Sequence, residues 1–286
     1  MDVKTELFGK LTFITGSAKN AGKTTFLNYS LSLLRGGGPV AYMTVGVDGE
    51  KHCALTAIPK PRIEAFPEDV LVTTDTLAAV SDAGFQALDV FPWRTVLGRT
   101  ALFKVKRRGF VELAGPETNE QAGRVLDSIA GHGFAQTVLV DGALNRQTQV
   151  ALHGGSGFVH VARIEPQNLI SECEQLKLLV ELSRVPQAGA KAAGALFFTG
   201  ALTQTRAAAI PKNARRIVLE DYTKVFLSSR QWRQFSSGRK ICFQSLCRLR
   251  FIVPVLKDVS ARNFARAAGP AVMKRVLFNP YCEGLK

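Results

Sequence analysis

The sequence has no apolar run of about 18 residues, the length a membrane-crossing helix needs, so a transmembrane reading has no support. Cysteine is scarce: Cys53, Cys173, Cys242, Cys247 and Cys282 are scattered and odd in number, which argues against a disulfide framework and fits a reducing, cytoplasmic setting. The four histidines (His52, His132, His153, His160) include no pair at metal-ligand spacing, and Cys242 and Cys247 have no second cysteine pair to complete a zinc site. There is no H-E-x-x-H, no C-x-x-C, no Ser-His-Asp arrangement and no N-K-x-D guanine-reading motif. Metalloprotease, dithiol-redox and GTP-specific readings therefore lack their residues. The opening MDVKTELFGK has no apolar core and no small-residue cleavage site, so it does not read as a signal peptide. With 12 prolines and 25 glycines in 286 residues, collagen-like and proline-rich classes are excluded.

Acidic residues are the other shortage, and it is local. From Arg206 to Arg275 there are 16 Lys/Arg against three acids, Glu220, Asp221 and Asp258. The rest of the chain balances 21 bases against 20 acids. Such asymmetry marks either a surface for nucleic acid or an acidic protein, or a solvated basic face with no dedicated partner. The aromatics of this stretch (Tyr222, Phe226, Trp232, Phe235, Phe243, Phe251) suit base stacking or, more simply, core packing.

What is present is a regular alternation of strand-like and helix-like runs. Lys10–Thr15 reads as a buried strand, followed by a glycine-containing loop and an apolar helical face on Phe26, Leu27, Leu31, Leu33 and Leu34. Gly36-Gly37-Gly38 stops that helix, and Pro39–Val45 is a second strand. This βαβ opening predicts a parallel sheet. Further strands are expected at Val70–Val72, Thr137–Val140, Phe158–Ala162, Ala195–Gly200, Arg216–Leu219, Ile241–Phe243, Leu249–Leu256 and Arg275–Phe278. Helices are expected at Thr74–Ala83, Glu117–Ala130, Pro166–Arg184, near Tyr222–Phe235 and at Ala261–Ala268. Thr100–Lys106 and Phe110–Ala114, separated by Arg107-Arg108-Gly109, give a hairpin signal. The expected class is α/β, P-loop NTPase-like, with a mostly parallel sheet flanked by helices. The expected division is a nucleotide-binding core over 1–205 and a basic part over 206–286 continuing the same domain.

The strongest chemical signal is Gly22-Lys23-Thr24 between strand and helix. A phosphate-binding loop needs this context: backbone amides of Asn20, Ala21 and Gly22 curl round phosphates, and the helix N-terminus adds positive dipole. Lys23 reaches the β- and γ-phosphates and Thr24 binds Mg²⁺, with Thr25 following. The usual spacing asks for glycine where Ser17 stands; Gly16 is one residue earlier. Lys19 is either a phosphate contact or an ordinary solvent-exposed loop lysine. Asp141 ends an apolar strand, as a Mg²⁺-associated acid does, or is the first residue of an Asp-Gly turn. Asp48, also before a glycine, binds Mg²⁺, orients the attacking water, or merely turns the chain. Glu50, Asn145 and Arg146 are weaker candidates.

Thr15–Thr25, Val45-Gly46-Val47-Asp48-Gly49-Glu50, Pro59-Lys60-Pro61, Val140–Arg146 and the ending Phe278-Asn279-Pro280-Tyr281 together resemble one group. It is the P-loop small subunit of the reactivase of lysine 5,6-aminomutase, an enzyme that uses adenosylcobalamin and pyridoxal phosphate. The resemblance implies a helper ATPase with ATP and Mg²⁺ as ligands. It also implies a larger MutS-like ATPase subunit and the aminomutase as partners, and the release of damaged cobalamin as the task. The basic last third departs from that group. A P-loop small-molecule kinase or ligase, and a nucleic-acid-binding protein acting through 206–275, are the alternatives.

Overall fold

In a computed structural model of the chain, residues 2–45, 62–142, 156–189, 194–278 and 280–281 are described. The chain divides into two compact units, Met1–Asn145 with Pro280–Lys286, and Arg146–Asn279. The composition change near residue 205 falls inside the second. Among the described residues no helix is long and apolar enough to cross a membrane.

The first unit contains α1 (Val3–Leu7), β1 (Leu11–Gly16), α2 (Lys23–Leu34), β2 (Val40–Thr44), β3 (Ile63–Ala65), β4 (Val70–Thr74), α3 (Asp75–Val80), β5 (Gly84–Thr95), β6 (Gly98–Arg107), β7 (Gly109–Val111), α4 (Asn119–Gly131) and β8 (Thr137–Asp141). Its strands run in the order β1-β8-β2-β4-β6-β5. The first four are parallel, and β6 and β5 are antiparallel additions at one edge. β2, β4 and β8 are buried along their whole length, and β1 along all but its first residue, as a parallel strand covered on both faces must be. β1 and β2 are not neighbours: β8 lies between them and pairs with both.

Helix α2 buries Phe26, Leu27, Ser30, Leu31 and Leu34 on one face. Its end is fixed by charge. Arg35 Nη2 donates to Asp69 Oδ2 at 2.7 Å and to the Glu64 carbonyl at 2.7 Å, and its Nε donates to Asp69 Oδ1 at 3.0 Å. Asp69 also accepts from the Tyr42 hydroxyl (3.2 Å) and the Phe66 amide (3.0 Å). Burial, with the Asp69 carboxylate beside it, holds the Tyr42 hydroxyl well above its ordinary pKa. The Arg35 guanidinium stacks over Phe66 at 4.3 Å. One buried carboxylate thus joins α2, β2 and the turn between β3 and β4.

The second unit contains β9 (Gly157–Ile164), α5 (Leu169–Leu182), β10 (Leu196–Phe198), α6 (Gln204–Ala209), β11 (Arg216–Leu219), α7 (Ser229–Ser236), β12 (Lys240–Phe243), β13 (Arg248–Leu256) and α8 (Ala261–Met273). β9 and β13 form a long parallel pair, and β10-β11-β12 form a three-stranded parallel sheet. Both units are mixed α/β; the first joins a parallel core of four strands to antiparallel pairs, and the second has parallel pairs throughout. A capping box, Ser228 with Gln231, starts α7, and α8 kinks at Gly269-Pro270, where Gly269 has φ +77°.

Three expectations are corrected. The hairpin is β5–β6, turned through Val96-Leu97, and not Thr100–Lys106 with Phe110–Ala114; β7 pairs instead with β3. Pro92 hid β5, because proline breaks a ladder and is tolerated here at an irregularity between Val90 and Arg94. Arg275–Phe278 makes a single bridge, Val276 to Ile252, not a strand. The Tyr222–Phe235 helix shrinks to a 3₁₀ turn, Tyr222–Lys224, and α7. Of the aromatics in that region, Tyr222, Trp232, Phe235, Phe243 and Phe251 are core residues and only Phe226 is exposed.

Arg35→Ala leaves the Asp69 carboxylate buried without its cation. It should destabilise the protein by about 3–5 kcal/mol in urea unfolding. Burial raises the Cys247 thiol to about 12, so at pH 8 it carries almost no thiolate. Thiol labelling read by peptide mass spectrometry should leave Cys247 unmodified in native protein and modify it once denaturant is added.

Candidate functional site

β1 delivers the chain to residue 16, and α2 begins at Lys23, so residues 17–22 make the whole turn between strand end and helix start. Two positions bend it. Asn20 has φ +61° and Gly22, the N-cap of α2, has φ +101°. Asparagine is among the few side chains at ease in the left-handed region, and glycine is favoured there. Gly22 has no side chain to cap the helix, so the first amides of α2 have no capping oxygen at that position. A helix start of this kind carries positive dipole and free N–H donors, the elements of an anion site.

The expected residues fall around this turn. Ser17 is half-buried directly after β1, Lys19 and Asn20 are exposed, and Ala21 is buried. Lys23 and Thr24 are half-buried in the first turn of α2, and Thr25 is exposed. Lys23 Nζ donates to the Ala18 carbonyl at 3.4 Å, so its ammonium folds back over the loop. Thr24 Oγ1 donates to Asp141 Oδ2 at 3.2 Å across 117 residues of chain. Asp48, Glu50, Asn145 and Arg146 lie outside the described residues.

Asp141 reaches Thr24 because β8 pairs with β1 in the register Ile14↔Asp141. On its other side Asp141 lies abreast of Thr44 of β2, and its carbonyl accepts from the Val45 amide at 2.9 Å. Its Oδ1 accepts from the Gly142 amide at 2.7 Å, which turns the carboxylate back toward α2. The carboxyl group is nearly buried, at 8% exposure of the residue. A hydroxyl and a carboxylate therefore meet at the carboxyl ends of parallel strands, where open α/β sheets bind ligands, with the Lys23 ammonium folded over the adjoining loop.

Two glycines frame this arrangement and were not singled out from the sequence. Gly142 has φ +96°, and a Cβ there would lie 2.9 Å from Thr44 Oγ1. A Cβ on Gly115 would lie 1.8 Å from the Thr44 carbonyl oxygen, so the chain can pass the end of β2 only without a side chain. The Asp-Gly dipeptide signals Gly142; Ala114-Gly115-Pro116 gives no comparable sign. Behind the loop, Tyr281 stacks edge-on against Tyr29 (5.4 Å between ring centroids) and Phe26 (6.5 Å) of α2. Those residues lie one turn or more from Lys23, so this contact supports the helix rather than its start.

Gly115→Ala forces a backbone shift at Thr44. Urea unfolding should show a loss of about 1–3 kcal/mol. Glu112→Ala, an exposed neighbour three residues away, should leave the midpoint unchanged within error.

No protein-family model, no curated protein and no solved structure matches the chain.

Proposed function

We propose that the chain is a P-loop protein that binds ATP over residues 17–25 and hydrolyses it with Mg²⁺, as the switch subunit of a larger assembly. The observation that carries this reading is the Thr24–Asp141 hydrogen bond at 3.2 Å beside an uncapped helix start. A threonine hydroxyl and a carboxylate are hard oxygen donors, and Mg²⁺ takes one or two protein oxygens while keeping waters and phosphate oxygens for its other positions. The two side chains therefore fit that ion. Thr24 and Asp141 would hold the ion, which would supply positive charge against the charge that develops on the phosphates.

The chain's own residues do the rest. The amides of Asn20, Ala21 and Gly22 and of the first turn of α2 receive the phosphates. Lys23 exchanges a long hydrogen bond to the Ala18 carbonyl for a charge-assisted one to phosphate, a favourable trade. Lys19, exposed on the same loop, is close enough in sequence to add a second cation. The Asp141 carboxylate is held by the Gly142 amide and the Thr24 hydroxyl, so it needs no reorganisation during the reaction. Asp48 is assigned the orientation of the attacking water. The partner follows from the family resemblance: an adenosylcobalamin-dependent aminomutase and a larger MutS-like ATPase subunit, with hydrolysis driving release of damaged cobalamin.

The test is steady-state ATP hydrolysis alone and with those two partners. Lys23→Ala should reduce the rate on the order of 10²-fold or more. Asp141→Asn should raise the Mg²⁺ concentration required while leaving the unfolding midpoint within about 1 kcal/mol of the parent. Hydrolysis and nucleotide binding unchanged in Lys23→Ala would refute the site. Lys23-dependent hydrolysis that neither partner stimulates would keep the site and refute the reactivase assignment.

A further inference from the structure

The second unit carries a basic edge that the nucleotide site does not use. Apart from Glu220 and Asp221, no acid occurs between Glu181 and Asp258. The three-stranded sheet gathers part of the resulting charge at one place. Arg216 begins β11 and Lys240 begins β12, and the two stand abreast in the parallel register. Adjacent strands are about 4.8 Å apart, so these side chains leave neighbouring points of one edge. The Lys240 amide donates to the Arg215 carbonyl at 2.7 Å, which ties the two strand starts together. Lys212 lies three residues before Arg215, and all four cations are exposed.

This edge borders an open groove of about 450 Å³ lined by Gly194, Leu196, Asn213, Ala214, Arg215 and Arg216. No described carboxylate pairs with Lys212, Arg215 or Lys240; Arg215 Nη1 reaches only the Gly238 carbonyl, at 3.3 Å. A carbonyl satisfies a donor without cancelling its charge. Leu196 lines the groove and is 39% exposed; Phe197 stands abreast of Val218, two residues after Arg216, so it shares the sheet face of Arg216 and Lys240, and it is 55% exposed. With more than half of its surface exposed, the Phe197 ring is not a core-packing residue.

We propose that this basic edge binds single-stranded nucleic acid, its phosphates on Lys212, Arg215, Arg216 and Lys240 and a base on Phe197. Arginine supplies a planar fork that matches phosphate. An aromatic face accepts any base, so binding is sequence-tolerant. A duplex hides its base faces in the stack and would leave the Phe197 ring unused. The proposal is independent of the ATP reading.

Fluorescence anisotropy with a labelled 20-nucleotide mixed-sequence single strand tests it on the full chain. Four phosphate contacts at about 0.7 each predict an affinity that falls about 50-fold between 50 and 200 mM salt. Lys212→Gln/Arg215→Gln/Arg216→Gln/Lys240→Gln should flatten the slope of log K against log salt by about 3, and Lys212→Gln/Lys240→Gln alone by about half that. A control removing as many charges elsewhere, Arg230→Gln/Arg262→Gln/Arg266→Gln/Lys274→Gln, should keep most of the slope. Phe197→Ala should weaken binding about 10-fold with the slope unchanged. Circular dichroism melts confirm that each variant is folded, and the double variant decides the question if the quadruple variant is not. Four results overturn the proposal: no binding at 50 mM salt, equal loss in the control, tighter binding of the matching duplex, or an unchanged affinity in Phe197→Ala. Equally effective competition by polyglutamate of matched charge would instead assign the edge to an acidic protein, and also overturns it.

Discussion

The parallel pairing of β8 with both β1 and β2 is the constraint on which the candidate site depends. Asp141 is the last residue of β8, and its neighbours across the two ladders are Ile14 and Thr44. A strand's side-chain period is two, so a slip of one residue would turn this carboxylate to the opposite face of the sheet. The register is held by uninterrupted burial of Val138, Leu139 and Val140 and by the Val45 amide bonding the Asp141 carbonyl. The position of Asp141 is therefore set by hydrophobic burial of strands that themselves take no part in chemistry.

Helix α2 is fixed at both ends by carboxylates that come from elsewhere. At its start Thr24 meets Asp141, and just past its end Arg35 meets Asp69. Between them the helix buries one apolar face. The two polar contacts differ in kind. Asp69 is 3% exposed and saturated by Arg35, Tyr42 and Phe66, which makes it a structural tie. Asp141 has one oxygen on a backbone amide and the other on a hydroxyl, and that second oxygen is the one facing the loop. The same residue type thus ties the start of the helix in one place and its end in the other.

The second unit shows how charge and core are sorted. Its apolar residues fill the interior even where the sequence is most basic, so aromatics interleaved with arginine proved to be packing residues: Trp232 and Phe235 are buried on α7 while Arg230, Arg233 and Gln234 face outward. Several arginines are absorbed locally. Arg206 holds the Thr199 and Ala201 carbonyls and stacks on Phe198, and Arg233 reaches Glu174 and Glu181. Lys212, Arg215 and Lys240, by contrast, are exposed and have no described carboxylate partner.

The sequence by itself determined the strand–loop–helix opening, because continuous burial, a glycine–lysine–threonine turn and a helical apolar face are local patterns. It also determined that Asp141 ends a buried strand. It misjudged what depends on partners. Phe110–Ala114 alternates like a hairpin arm, but β7 pairs with β3; β5 was hidden by Pro92, which an edge strand tolerates and a central strand does not. Residues 275–278 read as a strand, yet only Val276 finds a bridge partner. Gly115 carries no sequence signal; the Thr44 carbonyl beside it is what excludes a side chain there. Only the tertiary structure decided that β8 inserts between β1 and β2, that Thr24 and Asp141 meet, and that Arg216 and Lys240 stand side by side. The physical reason is common to all three: strand order and register are set by long-range burial, which no local pattern of residues encodes.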